Sequence, residues 1–343
     1  MHAFKKTFME KNNMQLLFFQ QIKELLPPHL AVADEIARVL NVSRDSAYRR
    51  MRGEKILSFE DLQKLSARFR ISLDRFLHQK TGNYIFAGSL SYPPGDFLEQ
   101  YLNNILQQFE LINSYDECHL YLLPNDIPPF LYFDFPELAA FTFFYYKKSL
   151  LNLAEMKDIK FSVKGLNPAH VKLGKKVQSS FNKLPSTEIW GSDIINSLLR
   201  HIGFYRDTMM FEGKEDIMVL YDQLRQLVTH IQKQAEIGFR FSRGEPPPTA
   251  AAPFRMFYND VITGDNCVLA KIGDTKITYI NHNLINFMFT RDEEFNNYTL
   301  ETFENAVQKS TQISQVGEKT RSRFFDILRQ KITVQQTMTG PYE

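Results

Sequence analysis

"VSRDSAYRRMRGEKILSFEDL", residues Val42–Leu62, sets four arginines and one lysine beside four carboxylates in a segment that still carries apolar residues at helical spacing. Ser43 is placed to cap the amide of Asp45 or Ser46, so a helix starts at Arg44. It runs to Arg52 and ends at Gly53, the residue type most willing to take the left-handed closing conformation. Ser58 caps the next helix, with Phe59, Leu62, Leu65 and Phe69 on its inner face, and Ser72 caps a short one containing Leu73, Phe76 and Leu77. Upstream, Leu16, Leu17, Phe18, Ile22, Leu25 and Leu26 predict a helix from Met14 to Leu26 that Pro27-Pro28 stops. A second runs through Val32, Ile36, Val39 and Leu40, with Asp34 and Glu35 near its positive end, and leads into the turn Asn41-Val42. Five short helices predict an all-helical unit over residues 1–80.

In the helix after Ser43, Ala47 and Met51 face inward, which turns Arg44, Asp45, Tyr48, Arg49 and Arg52 outward along one strip. That strip has the shape and charge of a helix lying in a DNA major groove. Arginine offers a planar fork that matches guanine O6 and N7. Asp45 either accepts from a cytosine amine or pairs with Arg49 one turn on, and Tyr48 either donates to a phosphate or packs over the second helix. A solvated basic face is the plain alternative for the whole strip.

The longer stretch "EIARVLNVSRDSAYRRMRGEKILSFEDLQKLSARFRISLDRFL", Glu35–Leu77, resembles the lambda-repressor-like (XRE-type) helix-turn-helix family. The likeness lies in the second helix, the Val-Ser-Arg turn, the Arg-Gly closure and the Ser-led fourth helix. It covers about fifty of the 343 residues, and Arg50 stands where the family often has a large apolar residue. The resemblance implies that Arg44, Asp45, Ser46 and Arg49 reach base edges while Ser43, Arg52 and Lys55 hold phosphates; Tyr48, from its place on the strip, is a further candidate for a backbone contact. One such module buries little area, so a homodimer on a palindromic site is expected.

The whole chain, with 13% aromatic residues including 30 Phe, is built to bury large rings in two or three domains. Its net charge of +2 conceals a basic excess in residues 1–80 and an acidic excess in the remainder, so the amino-terminal end is the candidate for nucleic acid. The absence of a long apolar run or signal-like start predicts no membrane partner and a cytoplasmic address. Cys118 and Cys267 are too few for a disulfide framework or a four-sulfur zinc site.

Residues 81–95, "TGNYIFAGSLSYPPG", read as a linker, and residues 96–242 as a helix-rich α+β regulatory region. Within it a helix is expected around Phe97 to Ile112, and "ECHLYLLPNDIPPFLYFDF" reads as two paired strands. Pro136 opens a helix toward Lys157, rich in aromatics at Phe141, Phe143, Phe144, Tyr145 and Tyr146, a cluster that is either core or the lining of a ligand pocket. "STEIWGSDIINSLLRHIGFY" reads as a helix. Lys214 to Phe239 is a long amphipathic helix whose stripe includes Leu220, Leu224, Leu227 and Ile231, a candidate dimer seam or else buried against the region's own sheet. "RGEPPPTAAAP", residues 243–253, reads as a Pro-rich linker before a carboxy-terminal α+β part, 254–343. There "FRMFYNDVI", "NCVLAKI" and "TKITYI" predict three strands, the last two joined by a hairpin at Gly273-Asp274, followed by helices around Thr299–Lys309 and Lys319–Lys331.

Glu117 and His119 alone share a side of their strand, too few ligands for a metal. No nucleophile elbow, phosphate-cradling loop, dinucleotide fingerprint or His-Glu-x-x-His appears. The expectation is therefore a multidomain chain, an all-α helix-turn-helix domain followed by a larger α+β domain. It acts as a transcriptional regulator on double-stranded DNA, with no cofactor and no catalytic residue. Its larger part answers a small-molecule or protein effector, mediates self-association, or both; an enzyme carrying a DNA-binding module and a module that grips protein are the other classes.

Overall fold

A computed structural model of the chain describes residues 14–26, 31–69, 71, 73, 84–88, 97–247, 251–262, 264, 266–282 and 285–338. It divides into two compact units between Ile85 and Phe86.

The amino-terminal unit contains α1 (Met14–Leu25), α2 (Val32–Leu40), α3 (Arg44–Met51) and α4 (Phe59–Phe69). Phe18, Phe19 and Ile22 from α1, Ile36 and Leu40 from α2, Ala47 from α3 and Leu65 from α4 close one core with Leu57 and Ile71. Burial of these side chains, each worth roughly 1.5–3 kcal/mol when a large aliphatic or aromatic leaves water, is what holds helices of 8 to 12 residues that would be marginal alone. Phe59, expected on the inner face, is 79% exposed: it opens α4 at the Ser58 cap, and Leu62 and Leu65 take the inward positions. The expected short helix beyond Ser72 lies largely outside the described residues.

The second unit is built on one eight-stranded sheet: β1 (Ala87–Gly88), β2 (Cys118–Leu123), β3 (Ser186–Trp190), β4 (Phe254–Tyr258), β5 (Cys267–Ile272), β6 (Thr275–Asn281), β7 (Phe287–Thr290) and β8 (Thr311–Gln312). The spatial order is β1-β7-β6-β5-β2-β3-β4-β8. The pairs β2–β3 and β3–β4 are parallel and all the others antiparallel. Parallel neighbours need long crossovers. Here β2 reaches β3 through a 3-10 helix (Pro129–Asp134), α6 (Pro136–Tyr145), a π-helical turn (Tyr146–Leu150) and α7 (Pro168–Phe181), with α5 (Phe97–Asn113) packed on α7. The crossover from β3 to β4 carries α8 (Asn196–Asp207) and α9 (Lys214–Ile237). The hairpin β5–β6 turns at Gly273, whose φ of 53° is the left-handed value that glycine accepts without strain. After β7 come α10 (Glu293–Gln308) and α11 (Glu318–Thr337).

Several expectations are corrected here. "PPFLYFDF" is not a strand paired with the run before it, because its prolines start the 3-10 helix; β2 pairs instead with β3 and β5. "STEIW" is a strand, not a helix start, and it is buried at all five positions. Gly88 and Ala87, inside the expected 81–95 linker, pair with Met288 and Phe289. The 243–253 segment does not separate two domains: Phe239 bridges to Pro253, and the strand that follows lies beside β3 in the same sheet. Leu220, Leu224, Leu227 and Ile231, offered as a dimer seam, are all 0–1% exposed inside their own unit. Their stripe is consumed by packing of α9 on α6, α11 and β4, which leaves it nothing to offer a second chain.

The centre of the sheet holds polar side chains. Glu188 on β3 accepts from Ser186 Oγ at 3.1 Å and Trp190 Nε1 at 2.9 Å, and it is ion-paired with Arg240. The Arg240 guanidinium lies between the rings of Phe181 (4.6 Å) and Phe254 (4.0 Å), and both partners are wholly buried. On β2, His119 Nε2 lies 2.9 Å from Thr187 Oγ1. Burial first, then the charges of Arg255 and Lys271, pushes the His119 pKa down to about 4. The unfolded chain, with an ordinary histidine near 6.5, then binds more protons than the folded one between those values. Stability should therefore fall as pH drops from about 6.5 to about 4, by on the order of 2–3 kcal/mol. Denaturant midpoints across that range should show the decline, and His119→Gln should flatten it; an equal decline in the variant would assign it to other groups.

Candidate nucleic-acid interface

The turn between α2 and α3 is tight because Asn41 takes a left-handed conformation (φ 53°), which lets the Val42 amide donate to the Ala37 carbonyl at 3.0 Å. Ser43 then caps α3, its hydroxyl accepting from the Ser46 amide at 3.2 Å. At the far end Gly53 (φ 75°) reverses the chain, and the amides of Glu54 and Lys55 both donate to the Arg49 carbonyl. Gln15 of α1 fixes this closure. Its side-chain amide donates to the carbonyls of Arg50 and Lys55 at 2.7 Å each and accepts from the Leu57 amide at 3.0 Å. A lone glutamine on an amphipathic helix gives no hint of this in the sequence, because the three groups it holds lie 35 to 42 residues away.

Arg44, Asp45, Tyr48, Arg49 and Arg52 all stand exposed along one side of α3, with Ser43 at its start and Lys55 beyond its end. Arg44 pairs with Asp34 at 2.8 Å and lies over the Tyr48 ring at 5.9 Å. Arg49 and Arg52 share Glu54, at 3.8 and 2.9 Å. The partner of Arg49 is thus Glu54 rather than Asp45, and Asp45 enters no ion pair among the described residues. Exposed pairs of this kind contribute about 0–1 kcal/mol, so a phosphate or base edge can replace the carboxylate at little cost.

Arg50 behaves differently from its neighbours. Its side chain is 8% exposed and turned into the unit, 3.1 Å from Asp61 of α4, with Nη1 donating to Ser46 Oγ at 2.6 Å. Where an apolar side chain would seat α3 by contact, an ion pair does so. One consequence falls on Ser46: its hydroxyl oxygen is engaged inward, so of the four expected base contacts it is the least available. Asp61 also accepts from the Ser58 amide while its own amide donates to Ser58 Oγ, a reciprocal cap on α4. Asp61→Ala should remove the partner of a buried guanidinium and half of that cap together, destabilising this unit by roughly 2 kcal/mol. Hydrogen exchange at the α3 and α4 amides would measure it; unchanged protection would mean the pair contributes nothing.

The aromatic run of α6 divides between two surroundings. Phe141, Tyr145 and Tyr146 line a cavity beneath the β2–Pro129 loop, whereas Phe143 and Phe144 face the groove on the other side of the helix. No group of three or more His, Cys, Asp or Glu residues that would hold a metal occurs among the described residues. Nor is any described helix long and apolar enough to cross a membrane. Comparison with family models, curated proteins and solved structures yields no match to this chain.

Proposed function

We propose that the chain is a cytoplasmic, multidomain regulator of transcription whose amino-terminal unit is a lambda-repressor-like helix-turn-helix reading double-stranded DNA. Its larger α+β unit senses an effector, mediates self-association, or both. The observation that supports this most is the outward strip of α3, where Arg44, Asp45, Tyr48, Arg49 and Arg52 are exposed together on a helix capped by Ser43 and braced from behind by Gln15 and Arg50. A braced helix can present a fixed row of side chains to base edges, and the arginines are held by exchangeable surface carboxylates rather than buried ones. A homodimer would double the contact on a palindrome, with a seam other than the buried stripe of α9.

Selection of the full chain against a random duplex pool at two salt concentrations tests the reading. An enriched, salt-sensitive motif supports it. Weak binding without enrichment reduces the unit to a non-specific anchor, and absence of binding in low salt points to a protein partner instead. Lys55, exposed beyond the end of α3, is a phosphate contact in this reading. Lys55→Ala should weaken all duplexes alike and reduce the slope of log K against log salt by about 1. A base-selective loss in that variant would contradict the assignment.

A further inference from the structure

Beneath the loop that leaves β2, the second unit forms a half-open cavity of about 90 Å³. Six phenyl and phenol rings line it: Phe130, Tyr132, Phe141, Tyr145, Tyr146 and Phe287. Asp126 reaches it from the loop, and neither lysine nor arginine is among the described lining residues. The Asp126 Oδ1 atom is buried and has no hydrogen-bond partner in the protein, and the same is true of Oδ1 of Asn281, another lining residue. A buried carboxylate oxygen without a donor is costly, and an unmatched pair of acceptors asks for something that donates. His201, the other titratable base in the lining, stacks on Tyr145 with ring centroids 3.8 Å apart. Burial holds it below the ordinary histidine range against the pull of Asp126, so it brings no positive charge at neutral pH. Asn266, with φ 54°, accepts from the backbone amides of Asn125 (2.8 Å) and Asp126 (3.4 Å) and fixes the loop that carries the carboxylate.

Aromatic faces carry negative quadrupole potential and attract a cation, more strongly when water is excluded. An anion would meet Asp126, and a purely apolar guest would leave both orphaned oxygens unmatched. We propose that this cavity binds a small organic ammonium ion, its positive centre held between Asp126 and the rings of Tyr132, Tyr145 and Tyr146. The volume suits a guest of a few heavy atoms rather than a nucleotide or a peptide. As an effector it would belong to the regulator proposed above, but its binding does not depend on that reading and is measured without DNA.

The test is calorimetric titration of the full chain with tert-butylammonium chloride, against sodium chloride at equal ionic strength and against tert-butanol as a neutral guest of the same shape. The expected result is one site per chain for tert-butylammonium, with tert-butanol at least tenfold weaker. Asp126→Asn should weaken the cation at least tenfold while leaving the melting temperature within a few degrees. Tyr145→Ala gives a second reading should that variant fold poorly. No saturable heat with tert-butylammonium, equal binding of tert-butanol, or undiminished binding by both folded variants would each overturn the proposal.

Discussion

Glu188→Gln is expected to cost the sheet unit roughly 3–5 kcal/mol, because it keeps the shape of the side chain while leaving the Arg240 charge unpaired in the protein interior. The geometry allows little relief. Arg240 and Glu188 are both fully buried, the guanidinium is walled by Phe181 and Phe254, and its Nε and Nη1 already lack partners. Burial pushes the Arg240 pKa down while Glu188 pulls it back up, so removing the carboxylate removes what opposes desolvation. Arginine does not escape by releasing its proton at ordinary pH, as a buried lysine can. Urea unfolding followed by the fluorescence of Trp190, the only tryptophan in the chain, reports on this unit. The apolar pair Glu188→Leu with Arg240→Met should recover much of the loss, since exchanging a whole buried ion pair is often neutral. An unchanged midpoint for Glu188→Gln would show that water reaches the pair.

The second large effect concerns DNA. Arg44→Ala combined with Arg49→Ala should lower affinity for a selected duplex by at least about 100-fold, each lost fork being worth roughly 1–3 kcal/mol of discrimination. The preference over a scrambled duplex should collapse toward one. Folding should survive, because the two side chains are 60% and 54% exposed and lose only surface ion pairs. Anisotropy titrations with both duplexes measure the two quantities together. A drop shared equally by selected and scrambled DNA would move both arginines to the phosphates, and no drop would remove α3 from the interface.

What was legible in the sequence follows from how local each signal is. The cap at Ser43, the reversal at Gly53 and the stripe of α9 depend on neighbours within one or two turns, and the structure has all three. The β5–β6 hairpin could be read for the same reason. Arg50 could be seen only as a departure from an apolar position, because its partner, Asp61, lies on the next helix. Strand β3 was missed because a central strand buried on both faces does not alternate, and its polar residues are satisfied from afar, Thr187 by His119 and Glu188 by Arg240. The prolines of 243–253 mark an excursion from the sheet that returns to it, which composition cannot tell from a boundary between domains. The periodicity of α9 was real, but a stripe alone does not say whether its partner is another chain or its own core. Of the cavity only the α6 rings were visible, because Asp126, His201 and Asn281 come to it from three other places in the chain.

Among the described residues, the two outermost strands of the sheet, β1 and β8, have only two residues each. Long parallel pairings such as β2–β3–β4 assemble late, because distant segments must meet first, and a half-built sheet is a template on which other copies can add strands. Ends this short present few unpaired amides and carbonyls in a row, so once the last strands dock the sheet gives incoming chains little to extend. The protein should therefore be most prone to aggregate while refolding and resistant once folded, and removal of β1 or β8 should make the folded chain aggregate faster with time.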